Sequence, residues 1–148
     1  MEKLLNEQII LQVKEVFDRQ LVHPVEVLFF GSQANCDYCE DAHQLVKEVT
    51  DISDKLGLRV YDIEKDAAIA HEYHVDKTPG FVITANDNGK LIDYGIRLSG
   101  LPSGHEFSTL IHDLVLVSGR DSGLPQKVRD ELKSLSQPVH LQVFVTPT

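Results

Sequence analysis

Residues 25–39 read Val25-Glu26-Val27-Leu28-Phe29-Phe30-Gly31-Ser32-Gln33-Ala34-Asn35-Cys36-Asp37-Tyr38-Cys39, and the fold turns on how this stretch is read. Its first six residues are mostly apolar and rich in strand formers, the pattern of a central β-strand covered on both faces. Gly31 to Asn35 then form a polar loop. From Cys39 onward Ala42, Val46, Val49 and Leu56 return at helical spacing, with Gly57 placed to terminate the helix. The cysteine pair therefore opens a helix directly after a strand. A thiol at a helix N-terminus faces unpaired backbone N–H groups and the positive end of the helix dipole, both of which favour an anion. Cysteines in such motifs have pKa values of roughly 3.5–7.5 instead of about 8.5, so the thiolate that attacks disulfides is populated at neutral pH.

Working outward, Leu5, Ile9, Val13, Val16, Phe17 and Leu21 recur at helical spacing, which predicts an amphipathic helix over about residues 3–22, ended by Pro24. Downstream, residues 58–63 read as a second strand. Residues 64–74 read as a helix carrying Ala67, Ala68, Ala70 and Tyr73. After the break at Lys77-Thr78-Pro79-Gly80 come an apolar run over 81–84, the turn Asn86-Asp87-Asn88-Gly89, and a further run over 91–98. This is a hairpin signal, because Asn, Asp and Gly accept the positive φ angles of tight turns. A helix over 104–117 buries Phe107, Leu110, Ile111, Leu114 and Val117. The order α-β-α-β-α-β-β-α pairs the helix-separated strands in parallel and adds antiparallel strands through the hairpin.

The 148 residues suffice for one compact domain plus a remainder, and 42% hydrophobic with 25% charged residues is the balance of an ordinary globular protein. A net charge of -9 disfavours nucleic acid, whose binding needs clustered Lys and Arg, and disfavours anionic membranes equally. The start, Met1-Glu2-Lys3-Leu4-Leu5-Asn6-Glu7-Gln8, lacks the basic-then-apolar plan of a signal peptide, so a cytoplasmic protein is expected. Two cysteines this close cannot staple distant parts of a chain, and in a reducing compartment such a pair points to catalysis or to metal. With His43 the pair offers three metal ligands, but no second cysteine pair closes a tetrahedral zinc site. An iron–sulfur cluster shared between two chains is the other metal reading. His23, His43, His71, His74, His105, His112 and His140 show no HExxH spacing, and no metal or cofactor is expected.

Three motifs sit where the thioredoxin superfamily has them: Cys36-Asp37-Tyr38-Cys39 after the first core strand, Tyr73-His74-Val75-Asp76-Lys77-Thr78-Pro79 before the third, and Gly100 after the fourth. The stretch Gly100-Leu101-Pro102-Ser103-Gly104-His105-Glu106-Phe107 closely resembles the first half of the two-unit protein disulfide oxidoreductases, glutaredoxin-like proteins built from tandem thioredoxin folds. The resemblance implies an α/β thioredoxin fold, with a central mixed four-stranded sheet flanked by helices, an extra N-terminal helix and a C-terminal helix-strand extension. It implies an enzyme that reduces, forms or isomerises protein disulfides. In that enzyme Cys36 is the nucleophile, Cys39 resolves the mixed disulfide, and a cis Thr78-Pro79 offers backbone to an extended substrate strand. Its partners would be protein substrates with disulfides or thiols and a thioredoxin-reductase-like or other thiol reductant. Asp37 stands where glutaredoxins have proline, and a neighbouring carboxylate opposes thiolate formation, so a less acidic Cys36 is expected. Tyr38 either contacts substrate or packs. Asp62 either relays protons or caps a turn. A non-catalytic binding module is the rival to the enzyme.

Pro138-Val139-His140-Leu141-Gln142-Val143-Phe144-Val145 repeats the plan of residues 24–31, and 125–135 repeats that of the preceding amphipathic helix. Residues 1–119 are therefore expected to form the thioredoxin/glutaredoxin-like domain, and 120–148 a linker plus the first helix and strand of an incomplete second unit. By the resemblance, a second Cys-x-x-Cys would begin directly after Thr146-Pro147-Thr148. A domain boundary, or a UGA codon for selenocysteine read as a stop, would each explain this end. An apolar strand over 139–145 would add to the sheet of the first unit or form a homodimer.

Overall fold

The computed structural model describes residues 3–146. Helix α1 (Glu7–Gln20) is capped by Asn6, whose side chain accepts a hydrogen bond from the Ile9 N–H at 2.9 Å. It buries Val13 and Phe17 and delivers the chain to strand β1 (Val25–Gly31). Helix α2 (Cys39–Thr50), strand β2 (Leu56–Asp62), helix α3 (Ala67–Glu72), strands β3 (Gly80–Asp87) and β4 (Lys90–Ser99), and helix α4 (His105–Gly119) follow in the expected order. One sheet, ordered β2-β1-β3-β4, carries β1 and β2 in parallel and the other neighbours antiparallel.

The sheet is covered on both faces. Val25, Val27, Phe29, Phe81, Ile83 and Ala85 pack into a core with α1, α2 and α4, while Leu28, Phe30 and Val82 pack with Ala70 of α3 on the other side. This is why β1 and β3 read as continuous apolar runs: both of their faces are buried. The β3–β4 turn places Asn88 and Gly89 at φ 54° and 92°, as its Asn-Asp-Asn-Gly sequence demands.

Two expectations are corrected. Helix α2 stops at Thr50, where the Ile52 and Ser53 N–H groups bond three residues back to Val49 and Thr50. Leu56 and Gly57 therefore belong to β2, paired with Val25 and Glu26, and Gly57 is not a helix terminator. Leu56 extends the helical spacing of Val49, but the partner strand decides its conformation. At the other end, α5 (Gln126–Leu132) forms, but residues 133–146 carry no strand. The apolar residues at 139–145 find no ladder partner among the described residues, and a β-strand exists only by pairing. No helix of the described residues is long and apolar enough to cross a membrane.

Candidate active site

Strand β1 ends at Gly31 and the loop over 32–38 leads into α2, whose first residue is Cys39. Cys39 is buried in the main core, Cys36 is half-buried against it, and the two are joined by a disulfide with Cα atoms 5.4 Å apart. A Cβ on Gly31 would lie 3.6 Å from the Cys39 sulfur, which locates that sulfur at the C-terminal end of the central strand. No side chain caps α2 at its N-cap, Tyr38, which leaves the first-turn N–H groups to face the cysteine loop. Tyr38 is 61% exposed. Asp37 is exposed beside it.

The loop that presents Cys36 is braced from the β2–α3 connection. The Ser32 hydroxyl donates to Glu64 at 2.8 Å, the Lys65 ammonium donates to the Gln33 side chain at 2.8 Å, and the Ile63 N–H donates to the Gly31 carbonyl at 2.9 Å. Asp62 shapes that connection by accepting from the Glu64 and Lys65 N–H groups at 3.1 and 3.0 Å. The Lys65 N–H is the main cause holding its carboxyl below the usual carboxylate range. Asp62 is thus a turn cap.

The Thr78–Pro79 peptide bond is cis. Strand β3 begins one residue later, where Gly80 pairs with Phe30 of β1, so Pro79 stands at the end of the sheet where Gly31 meets Cys39. Position 80 must be glycine for room: a Cβ there would lie 2.7 Å from the Lys77 carbonyl oxygen. Register therefore brings Cys36, Cys39, Thr78 and Pro79 to one end of the sheet. The His43 ring packs on Phe29 with centroids 5.3 Å apart. No group of three or more His, Cys, Asp or Glu side chains is gathered to hold a metal ion among the described residues. The bracing by Glu64 and Lys65 is not readable in the sequence, because it joins residues more than thirty positions apart without any local signature.

This fold and this pair of cysteines at the head of a helix define a thioredoxin-fold domain with a disulfide-bonded Cys-x-x-Cys motif. In particular, the chain is homologous to the alkyl hydroperoxide reductase protein AhpF and to protein disulfide oxidoreductase. It is 30% identical over 132 residues to the AhpF protein of Staphylococcus aureus alkyl hydroperoxide reductase, covering 88% of this chain and 23% of that protein. It is likewise 30% identical over 123 residues to an NADH dehydrogenase of Bacillus subtilis, covering 83% of this chain and 21% of that protein. The protein disulfide oxidoreductase of Aeropyrum pernix superposes with a TM-score of 0.77 at 29% identity, over 88% of this chain and 55% of the other. The alkylhydroperoxide reductase AhpF of Enterococcus faecalis shares the fold, with a TM-score of 0.76 at 22% identity over 88% of this chain and 61% of the other. The chain thus spans less than a quarter of the length of the curated relatives it matches. No family model matches the sequence.

Proposed function

We propose that this chain exchanges disulfides with protein substrates, with Cys36 as the nucleophile and Cys39 as the resolving cysteine. The observation that carries this reading is the asymmetry of the pair: Cys36 lies half-exposed in the loop, and Cys39 lies buried beneath it as the first residue of α2. In the reduced protein the Cys36 thiolate attacks one sulfur of a substrate disulfide. That bond breaks, and the departing substrate sulfur takes up a proton. Cys39 loses its proton and attacks the Cys36 sulfur of the mixed disulfide, which releases the second substrate thiol. Two electrons and two protons pass to the substrate, and the Cys36–Cys39 disulfide remains. A dithiol donor of the thioredoxin-reductase-like class returns the pair to the reduced form by the reverse sequence. A reducing cytoplasm is the compartment in which a local pair cycles in this way.

Thr78 offers its backbone to the substrate strand, and Tyr38 offers an exposed ring at the rim of the same site. Residues 120–148 form the linker and the first helix of a second unit, and two copies of the chain associate through the apolar residues at 139–145. What supports this is exposure. α5 buries no residue, and Leu141, Val143 and Phe144 are 81% exposed or more, with nothing among the described residues to cover them.

Reduction of insulin disulfides with dithiothreitol as donor tests the catalytic reading. Wild type accelerates precipitation of the insulin chains and Cys36→Ser does not. A wild type without activity, or an active Cys36→Ser, refutes it. Light scattering on the chain with and without residues 138–148 tests the dimer, which is refuted by a monomeric full chain.

A further inference from the structure

Strand β4 contains an irregularity that the chemistry of the cysteine pair does not use. Thr84 of β3 faces Asp93, but the preceding residue, Ile83, faces Ile96, so Tyr94 and Gly95 are pushed out of the ladder as a bulge. Gly95 has φ 85°, a conformation that residues with a Cβ seldom adopt, and its N–H donates to Asp93 Oδ1 at 2.8 Å. In a regular strand, residues four apart are separated by about 13 Å. Here the bulge shortens that span, and the Arg97 guanidinium grips Asp93 with two parallel hydrogen bonds, Nη1 to Oδ1 at 2.8 Å and Nη2 to Oδ2 at 2.7 Å. Such a bidentate, charge-assisted pair holds the guanidinium in one orientation.

Arg97 Nη1 also donates to the Ile96 carbonyl at 3.2 Å, and Nε reaches across to the carbonyl of Tyr73 at 2.8 Å. Tyr73 ends α3, and the next residue, His74, turns the chain with φ 53° into the segment that leads to Thr78-Pro79. The far end of that segment is tied to the residue that follows β4, because the Gly100 N–H donates to the Pro79 carbonyl at 2.9 Å. β4 and the residue after it therefore hold both ends of residues 74–79, and Arg97 is the side chain that secures the first.

We propose that Arg97, oriented by Asp93 across the Tyr94–Gly95 bulge, is a positioning residue for protein substrates: it anchors the segment that presents the Thr78 backbone to an incoming chain. This deepens the oxidoreductase reading and rests on it. The consequence is selective. A protein disulfide must lay its backbone along Thr78 to react, whereas a small aromatic disulfide needs only the Cys36 sulfur.

The experiment compares wild type, Arg97→Ala, Arg97→Lys and Asp93→Asn, as the full chain, in insulin reduction and in the reaction of the reduced protein with dithionitrobenzoate. For Arg97→Ala the expected result is a rise in KM for insulin of about tenfold with kcat within about twofold of wild type, since loss of positioning costs binding in the reactive geometry. The dithionitrobenzoate rate stays within about twofold of wild type. Arg97→Lys restores part of the loss and Asp93→Asn shows a smaller rise in KM. Should Arg97→Ala not fold, Asp93→Asn alone decides, because it keeps the arginine and only frees its orientation. Equal losses towards both disulfides, or an unchanged KM for insulin, overturn the inference. A wild type that reacts with dithionitrobenzoate but not with insulin overturns the proposed exchange with protein substrates, and this inference falls with it; a wild type that reduces insulin with Arg97→Ala unchanged overturns this inference alone. A wild type that reacts with neither overturns the oxidoreductase reading itself.

Discussion

Ser118 and His23 exchange hydrogen bonds in both directions: the Ser118 hydroxyl donates to the His23 carbonyl at 2.7 Å and accepts from the His23 N–H at 3.1 Å. The same hydroxyl accepts from the Val22 N–H at 2.8 Å. One fully buried side chain on α4 thus satisfies the backbone between α1 and β1, where the chain turns into the central strand. Ser118→Ala removes the partner of the Val22 N–H and of the His23 carbonyl, while the His23 N–H keeps the Ser118 backbone carbonyl at 3.3 Å, and the unfolding free energy falls by about 1–3 kcal/mol. Urea denaturation reads this as a lower midpoint at an unchanged slope. An unchanged midpoint contradicts it.

Cys39→Ser separates the two halves of the proposed exchange. Cys36 still attacks a substrate disulfide, but nothing resolves the product, so a covalent adduct accumulates. Mass spectrometry of the variant after incubation with oxidised insulin shows the chain plus an insulin chain, and thiol treatment removes it. If the variant remains unmodified while wild type turns over, the roles of the two cysteines are reversed.

Asp37 is an exposed carboxylate next in sequence to Cys36, the proposed nucleophile, and like charges in sequence neighbours disfavour one another. Asp37→Pro therefore lowers the thiolate pKa of Cys36. Titration of the thiolate absorbance of the two reduced proteins measures the difference. An equal or higher value in the variant refutes this role for Asp37.

Glu48 on α2 holds the approach to α1, accepting from the Leu4 and Leu5 N–H groups at 3.0 and 2.9 Å and from the Gln44 side chain. Partial burial acts to raise its pKa, but the two backbone N–H groups and Gln44 outweigh it, and the carboxyl lies below its ordinary value. A carboxyl lowered in the folded state contributes stability that is present above its unfolded pKa and lost as the pH falls through the folded one. Glu48→Gln is accordingly less stable than wild type at neutral pH, and the gap closes as the pH falls below the ordinary carboxylate range. Thermal unfolding across that range checks it, and a gap that widens in acid contradicts it.

Much of the site is legible in the sequence because its signals are local. Val25 to Phe30 announce a strand, Ala42, Val46 and Val49 announce a helix, and the cysteines fall at their junction. Thr78 and Pro79 are legible only through family resemblance, since nothing in their own residue types distinguishes a cis from a trans bond. Leu56 and Gly57 read as the end of a helix because their apolar spacing suits either conformation, and pairing with Val25 and Glu26 decides for the strand. Val139 to Val145 have the composition of a strand and lack, among the described residues, the partner that would make them one.

The sequence by itself determined the order of the elements from α1 to α4 and the place of Cys36 and Cys39 at the head of a helix, because periodicity and helix-end chemistry act over a few residues. Only the tertiary structure decided that β1 lies between β2 and β3, that Glu64 and Lys65 brace the cysteine loop, and that Arg97 reaches Tyr73. Those arrangements join residues that are distant along the chain, and their partners are selected by the packing of the whole sheet rather than by any pattern in the neighbouring chain.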